Sequence, residues 1–416
     1  MALKSWIGRA GAVPQVDTFT VGGTVAVGST LTVTINTRAV TVTATAASAT
    51  TAATELTAAL GDSEYGEFAA LTWTSAGAVV TGTGTADGGP FTATSTAGGS
   101  GSPTLTRAAV TVGTGPNYWS NANNWGPSGV PLAADDVVIG EGPAILYGLA
   151  QSAVTLATLT ITRGFPATSS IGLPDRGDGD VAEYRATHLA VGATVGTVDT
   201  QSSLVRIDLG TVASAFTVHD TGRGGAGGFA CDLLANKSTT TVVVNRGQVG
   251  VAANAGETST VASVRVAFRE RRASDATVEV GPGVTITSLF QTGGDVTLRS
   301  ACPTITRDGG SLTRFGTGAV TTWNDDGGNS DDYGTGTITT LNSGGAWVRR
   351  GGAALTVTDC NLYGGGSTTD SGGVVVWTNG VVYVNCGPPA APGDTENAPS
   401  SVHHFVIGSG KTVAVS

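Results

Sequence analysis

The sequence predicts an all-β protein, in which a small β-rich N-terminal domain with one helix precedes a right-handed parallel β-helix, or β-solenoid. Two observations support this fold. The 416 residues include 63 glycines and only 12% charged residues, and the abundant Thr and Val suit half-buried strands. From residue 114 onward, short apolar runs such as "VTLATLTIT" and "TTTVVVNRG" recur about every 8–20 residues, with neither helical spacing nor tight hairpin turns between them.

Residues 16–113 form the predicted first domain. The segments "VDTFTVGG", "STLTVTIN" and "RAVTVTAT" alternate apolar and hydroxyl residues, which is the period of a half-buried strand. In "SATTAATELTAALG" the apolar residues take helical spacing instead, so a helix is predicted with Ser48 as its N-cap and Gly61 at its end. Strands resume afterwards, and the Gly- and Ser-rich "STAGGSGSPTLT" is predicted to be a loop between two of them.

Residues 114–386 form the predicted solenoid. One coil cannot bury its own inward face, so coils must stack, with Val, Ile, Leu, Ala and Thr inside and Gly at the corners. The open end of such a stack exposes an apolar core and an unpaired strand edge, and both need a cover. Trp119 and Trp125, in "YWSNANNWGPSGVPLAADDVVI", come just before the first buried strand and are predicted to cap that end. Two face-packed sheets, a β-sandwich, are the alternative architecture.

The two ends of the chain carry separate predictions. Residues 1–15 are predicted to be an arm whose apolar Trp6 and Ile7 anchor the chain on a partner. Residues 387–416 are predicted to be a linker, "GPPAAPGDTENAPS", followed by a C-terminal strand. The N-terminal segment has no secretion signal, and no segment reaches the ~18 apolar residues of a membrane span, so we expect a product made in the cytoplasm and no membrane partner.

Charge and cysteine content argue against several functions. The chain has 21 Lys and Arg against 31 Asp and Glu, and no basic stripe, so nucleic-acid binding is not expected. The cysteines show no C-x-x-C pair and are predicted to be buried and reduced; they are Cys231, Cys302, Cys360 and Cys386. "GSGKT" at 408–412 has Phe405 where a phosphate loop needs its first Gly, and "GRGGAG" is a chance match in so Gly-rich a chain. We therefore predict no cofactor.

Two acidic segments and four histidines are the remaining candidates for chemistry. Residues 175–180, in "PDRGDGD", and 325–332, in "WNDDGGNSDDY", cluster carboxylates that could attract Ca²⁺, although their spacing fits no EF-hand loop and solvated turns explain both. The carboxylates that a glycan hydrolase could use are the Asp325–Asp332 group and Glu270. The histidines show no catalytic or metal-ligating pattern; they are His188, His219, His403 and His404. No catalytic residue and no metal site are predicted, and Ca²⁺ binding by the acidic segments stays open.

The segment that contains the two tryptophans resembles a family pattern, W-S-x-x-x-N-W-x-x-x-x-V-P-x-x-x-D-x-V-x-I. It is carried here by Trp119, Ser120, Asn124, Trp125, Val130, Pro131, Asp135, Val137 and Ile139. Similar openings precede β-solenoids in bacterial autotransporter-like surface proteins and in bacteriophage structural proteins. The first domain, with "FTVGGTVAVGSTLTVTINTRAVTVTAT" before "TTAATELTAAL", resembles modules of phage virion proteins. An autotransporter would also carry a signal peptide and a C-terminal membrane barrel, which this sequence does not show.

The resemblance therefore implies a non-enzymatic structural protein of a bacteriophage particle, a capsid decoration protein or head fibre located in the virion. The partners that it implies are the major capsid protein or other virion proteins, together with further copies of the chain, with a trimer as one expected form. A tail fibre or tailspike that binds or cleaves a host glycan is one alternative. A bacterial surface adhesin is another.

Overall fold

The computed structural model describes most of the chain, and several predictions concern residues outside that part. The described residues are 2–173, 185–222, 228–266, 276–363, 367–370, 375–379 and 381–384. The acidic segment 175–180, Cys386, "GSGKT" and the linker and strand at 387–416 lie outside them.

The chain forms a small antiparallel domain and one long stack of parallel strands, and its first strand, β1 (Leu3–Trp6), belongs to the stack. The first domain contains β2 (Val16–Ile35), β3 (Arg38–Thr43), α1 (Ala49–Gly61), α2 (Gly66–Ala69), β4 (Thr72–Ala76), β5 (Val79–Thr83) and β6 (Ala93–Thr111). The stack continues with β7 (Trp125–Gly126), β8 (Asp136–Ile139), β9 (Ala150–Ile161), β10 (Ser170–Ile171), β11 (Leu189–Asp199), β12 (Leu204–Asp208), β13 (Ala215–Asp220), β14 (Cys231–Leu234), β15 (Thr241–Val244), β16 (Gly247–Val251), β17 (Ser259–Val266) and β18 (Ala276–Val280). Its later strands are β19 (Val284–Gln291), β20 (Asp295–Leu298), β21 (Thr304–Arg307), β22 (Ser311–Arg314), β23 (Val320–Asp325), β24 (Asn329–Asp332), β25 (Gly336–Ser343), β26 (Ala346–Arg349), β27 (Leu355–Tyr363), β28 (Ser367–Asp370), β29 (Val375–Trp377) and β30 (Val381–Val384).

The stack is a parallel β-solenoid, as the sequence predicts. From β12 to β27 each strand pairs in parallel with the strand two places later in the chain, so that one coil lies on the next. Ser311 lies beside Asn329, 18 residues later, and Asn329 lies beside Ala346, 17 residues later. One continuous apolar core runs from Trp6 to Val375. The alternative β-sandwich is wrong, because its strands would be antiparallel and its core would lie between two separate sheets.

The first domain is a twisted antiparallel sheet covered by α1. Ser48 is the N-cap of α1, and its Oγ accepts a hydrogen bond from the Thr51 backbone N–H, so the predicted helix is confirmed. The predicted loop at "GGSGS" is wrong, because β6 runs through it and pairs with β2 on both sides. Gly99 and Gly101 have φ of 79° and 78°, and these left-handed residues bend the strand without ending it.

The predicted N-terminal arm is wrong as well. Strand β1 pairs in parallel with β8 and antiparallel with β7, so it is the first strand of the solenoid. Trp6 is 1% exposed and cannot anchor the chain on a partner, while Ile7 is half-buried and its N–H donates to the Asn124 carbonyl. The first domain is thus inserted after β1, and a bridge between Val13 and Thr114 closes its base.

The structure shows little helix beyond the first domain. Among the described residues, no helix has both the length and the apolar character needed to cross a membrane.

Candidate functional site

Three tryptophans cover the first coil of the solenoid. Trp125 contacts Trp6 at a ring-centroid distance of 5.1 Å and Trp119 at 4.6 Å, both edge to face. All three are at most 1% exposed. Because β7 and β1 lie beyond β8 at the end of the stack, these indoles lie over the apolar interior where another coil would otherwise be needed. This is the position that the sequence assigns to Trp119 and Trp125, and Trp6 joins them.

Two polar residues of the opening motif hold this end together. The buried Asn124 side chain donates to the carbonyls of Gly115 and Tyr118 and accepts from the Ala10 N–H at 2.8 Å. The Asp135 carboxylate accepts from the backbone N–H groups of Leu132 at 3.0 Å and Ala2 at 2.9 Å. These hydrogen bonds, the one from Leu132 first, hold the pKa of Asp135 below its ordinary value. The motif therefore fastens β1 to the solenoid.

The interior of the solenoid changes character along its length. Two columns of inward-facing residues begin with aliphatic side chains and end with polar and charged ones. The first column is Ile139, Ile161, Val198, Val218, Val244, Val266, Gln291, Arg307, Asp325 and Ser343. The second is Ile207, Leu233, Val251, Val280, Leu298, Arg314, Asp332 and Arg349. Every member of both columns is buried.

In the first column, polar side chains meet the carbonyls of Gly-Gly turns. Gln291 donates to the Gly294 carbonyl at 2.9 Å and Arg307 to the Gly310 carbonyl at 2.8 Å. Each of these carbonyls also accepts a backbone N–H from the next coil, Ser311 to Gly294 at 2.9 Å and Asn329 to Gly310 at 3.2 Å, so the side chain adds a second hydrogen bond to an oxygen that can accept two. Arg307 also pairs with Asp325. Burial raises the pKa of the Asp325 carboxyl, and Arg307 opposes that rise.

In the second column, one carboxylate lies between two guanidinium groups. Arg314 donates to both oxygens of Asp332 at 2.9 Å, and Arg349 lies 3.6 Å from one of them. Arg349 also donates to the backbone carbonyls of Asp332 at 2.8 Å and Gly334 at 2.7 Å. Each charge therefore has partners inside the solenoid, as buried charges require.

This burial corrects the interpretation of residues 325–332 as a solvated turn. Asp325 and Asp332 are both fully buried in ion pairs, and Asp331 pairs with Arg350 at 2.6 Å. Asp326 is exposed. In the described segment 325–332 the structure does not bring two unpaired carboxylates together, and Glu270, the other candidate for a glycan hydrolase, lies outside the described residues.

The outer face of the late coils carries a stack of exposed side chains. Each is the residue directly after β20, β22, β24 or β26, and the four are Arg299, Phe315, Tyr333 and Arg350. The rings of Phe315 and Tyr333 are stacked 4.9 Å apart with an interplanar angle of 17°, and the Arg299 guanidinium lies 5.0 Å from the centre of the Phe315 ring. Both rings are about two-fifths exposed, at 39% and 40%.

A second polar cluster lies outside the core, over the outer side of β12 and β14. His188, just before β11, places Nε2 3.3 Å from Asp232 Oδ2 and 3.8 Å from Glu257 Oε1. The amide nitrogen of Asn254 donates to the same two oxygens, at 2.6 Å and 3.0 Å. Arg206, beside Asp232 in the strand register, lies 3.9 Å from Asp232 Oδ2. These ligand-type atoms of His188, Asp232 and Glu257 lie within 4.8 Å of one another.

The described cysteines are buried thiols and do not form a reactive site. Cys231, Cys302 and Cys360 are free and buried, so the prediction of buried, reduced thiols is confirmed for these three. Burial raises the pKa of Cys302 and of Cys360 to about 12. Such thiols are protonated at neutral pH and unreactive.

Sequence reasoning located the tryptophan cap but missed both polar sites. His188, Asp232 and Glu257 are 44 and 25 residues apart in the sequence, and no local motif joins them. The buried charges did leave a signal: Arg307 and Arg314 each follow an inward apolar residue by two places, which puts them on the same face of the strand. No family model, curated protein or solved structure matches this chain.

Proposed function

We propose that this chain is a non-enzymatic structural protein of a bacteriophage particle, a capsid decoration protein or head fibre. The observation that carries the proposal is the filled interior of the solenoid, whose inward columns are buried along their whole length. In the described coils the interior is packed with side chains, and a filled parallel stack of this kind supplies shape and an outer surface. The resemblance of the opening motif and of the first domain to phage proteins supports the particle as its location.

A cavity at the base of the first domain does not favour a small-molecule function. Pro90 from the first domain and Tyr147 and Gln151 from the solenoid line it. Its volume of about 240 Å³ is below the roughly 300–1,000 Å³ that is usual for sites that enclose a small ligand.

The first domain offers a surface for docking on the particle. Five consecutive residues of β6, from Thr106 to Val110, are exposed, so both faces of this part of the strand are open. Val110 and Val112 are 61% and 78% exposed. Exposed apolar strands are uncommon in monomers because they associate with other chains. We place the contact with the capsid protein, or with further copies in a trimer, at this end of β6.

Particle composition tests the proposal. Phage particles are purified from the host that encodes the chain, and their proteins are identified and counted by mass spectrometry. The proposal predicts the chain in many copies per particle, and antibody labelling on the head. Complete absence of the chain from purified particles contradicts the proposal.

The docking surface is tested separately. Val110→Lys combined with Val112→Lys is expected to reduce incorporation into particles at least tenfold, because two charges would be buried in the contact. Leu132→Lys is the matched control, since Leu132 is 67% exposed and lies on the solenoid instead. Undiminished incorporation of the double variant would show that the contact does not lie at this end of β6.

A tail fibre that binds a host glycan is the second candidate, and the exposed stack on the late coils favours it. Sugar rings pack on exposed aromatic faces, and arginines bind acidic sugars through paired hydrogen bonds. Phe315 and Tyr333 present aromatic surface, with Arg299 and Arg350 on either side.

A glycan array distinguishes the two candidates. Binding that is lost in both Phe315→Ala and Tyr333→Ala, but kept in Val195→Ala on an exposed part of β11, supports the fibre. Absence of binding to any glycan on the array contradicts the fibre.

A further inference from the structure

We propose that His188, Asp232 and Glu257 bind one Zn²⁺ ion on the outer face of the solenoid. The proposal is independent of the phage assignment. It rests on the convergence of three ligand-type side chains and on two buried polar atoms in that cluster that have no hydrogen-bond partner.

The unpartnered atoms point to a missing cation. His188 and Asp232 are 7% and 2% exposed, and neither His188 Nε2 nor Asp232 Oδ1 makes a hydrogen bond. Buried polar atoms in folded proteins are almost always partnered, so a buried imidazole nitrogen that lies 3.3 Å from a carboxylate oxygen without a hydrogen bond needs an explanation. A metal ion bound between His188 and the Asp232 carboxylate would satisfy Nε2, because it accepts the lone pair of the nitrogen.

The spacing fits zinc. Ligands that bind zinc at 2.0–2.2 Å in a tetrahedron are about 3.4 Å from one another, and His188 Nε2 lies 3.3 Å and 3.8 Å from the two carboxylate oxygens. One imidazole and two carboxylates form a mixed nitrogen and oxygen donor set, which suits zinc better than calcium or magnesium.

The surroundings supply orientation and a fourth position. His188 Nδ1 lies 3.0 Å from the Thr187 hydroxyl, a contact that orients the ring, as the second nitrogen of a ligating histidine usually requires. A half-turn of the Asn254 amide would turn Oδ1 toward both carboxylates, where it could serve as a fourth, oxygen ligand. Arg206 neutralises one of the two carboxylate charges, so the ion meets a site of net charge −1.

The ion would join parts of the chain that no strand pairing joins directly. Asp232 lies on β14, His188 precedes β11, and Glu257 lies in the turn that begins at Asn254. Zinc bound here would hold that turn against the strands and stabilise the early coils in proportion to its occupancy.

Zinc stoichiometry tests the site in the full chain. The purified protein is stripped with chelator, equilibrated with zinc, separated from free metal and analysed by mass spectrometry for zinc content. We expect one zinc ion per chain, lost in His188→Gln and Asp232→Asn. We also expect zinc to raise the midpoint of thermal unfolding of the wild-type chain but not of those variants.

Matched histidine variants identify the source of any binding. His219→Gln changes an exposed histidine outside the cluster, and the double variant His403→Gln, His404→Gln removes the adjacent pair in the sequence. Both are expected to keep one zinc ion. If His188→Gln fails to fold, Glu257→Gln, at the more exposed edge, is expected to weaken binding at least tenfold. Absence of zinc binding, which would leave an imidazole and carboxylate network only, overturns the proposal, as does binding that Glu257→Gln leaves unchanged.

Discussion

The early and late coils of the solenoid have the same backbone architecture but different interiors. The strands from β8 to β18 fill their corners with Ile, Leu and Val, whereas those from β21 to β26 place arginines, aspartates and one serine at equivalent positions. A third column stays apolar through the late coils, with Leu289, Ile305, Trp323 and Leu341 in register. Charged side chains therefore replace apolar ones only at the corners of the late coils.

The turns of the late coils differ as well. In the late coils a Gly-Gly pair recurs at 293–294, 309–310, 327–328 and 344–345, and each pair follows a buried polar side chain closely. Gln291, Arg307 and Ser343 donate to the carbonyls of these turns. Backbone N–H groups of the next coil already donate to the Gly294 and Gly310 carbonyls, and the polar side chains take the second acceptor position of these oxygens where the early coils place an aliphatic side chain. A stack of parallel coils can therefore bury charged side chains when each of them donates hydrogen bonds to turn carbonyls or pairs with an opposite charge.

The largest effect is expected from removal of one charge in the late coils. Asp332→Asn leaves Arg314 and Arg349 buried without their shared carboxylate and should cost about 3–5 kcal/mol. Hydrogen-exchange mass spectrometry should show the loss as faster exchange in β22, β24 and β26. Asp326→Asn, in the same region but exposed, is the control and should have little effect. Equal exchange in the two variants would show that the buried charges do not support these coils.

A cavity in the early coils should cost somewhat less. Leu233→Ala removes a fully buried side chain from the second column and should cost about 3 kcal/mol, because the neighbouring coils can relax only in part. The faster exchange should be confined to β12, β14 and β16. Exchange that spreads equally to β26 would contradict nearest-neighbour stacking.

The next largest loss of stability is expected from a substitution in a glycine turn. Gly328 has a φ of 81°, and a Cβ there would meet the carbonyl oxygen of Gly310 in the coil beneath. Gly328→Ala should therefore cost about 2 kcal/mol, measured as a lower midpoint of chemical unfolding. Gly352→Ala is the matched control, because nothing lies within 4 Å of its added Cβ. A harmless Gly328→Ala would show that the turn geometry is not required.

The smallest effect is expected at the capped end and depends on pH. The pKa of Asp135 is lowered on folding, so the stability that it provides is present above its ordinary value of 3.8 and is lost as the pH falls through the folded-state value. Asp135→Asn should cost about 1–2 kcal/mol at neutral pH and should remove this acid dependence from the protection of β1. Parallel pH profiles for the variant and the wild type would contradict the assignment.

The sequence predicted what depends on local pattern. The span of α1, with its Ser48 cap, and the parallel stacking of coils both follow from period and turn residues. The prediction of an N-terminal arm was wrong because the local sequence is the same whether Trp6 is free or lies in a paired strand. Its strand, β1, pairs with β8, more than 120 residues away. The prediction of a solvated turn at residues 325–332 was wrong because charged residues are normally exposed. The partners that allow burial here, Arg307 and Arg314, come from the neighbouring coil. The zinc ligands are assembled by stacking alone.

Distances along the solenoid axis test the stacked coils most directly. Gln248, Thr277, Asp295, Ser311, Asn329 and Ala346 form one column on successive coils. Spin labels at 248 and 329 should lie about 19 Å apart and labels at 248 and 346 about 24 Å apart, because each coil adds about 4.8 Å. Distances that do not increase by one coil spacing between the two pairs would contradict a filled, in-register solenoid.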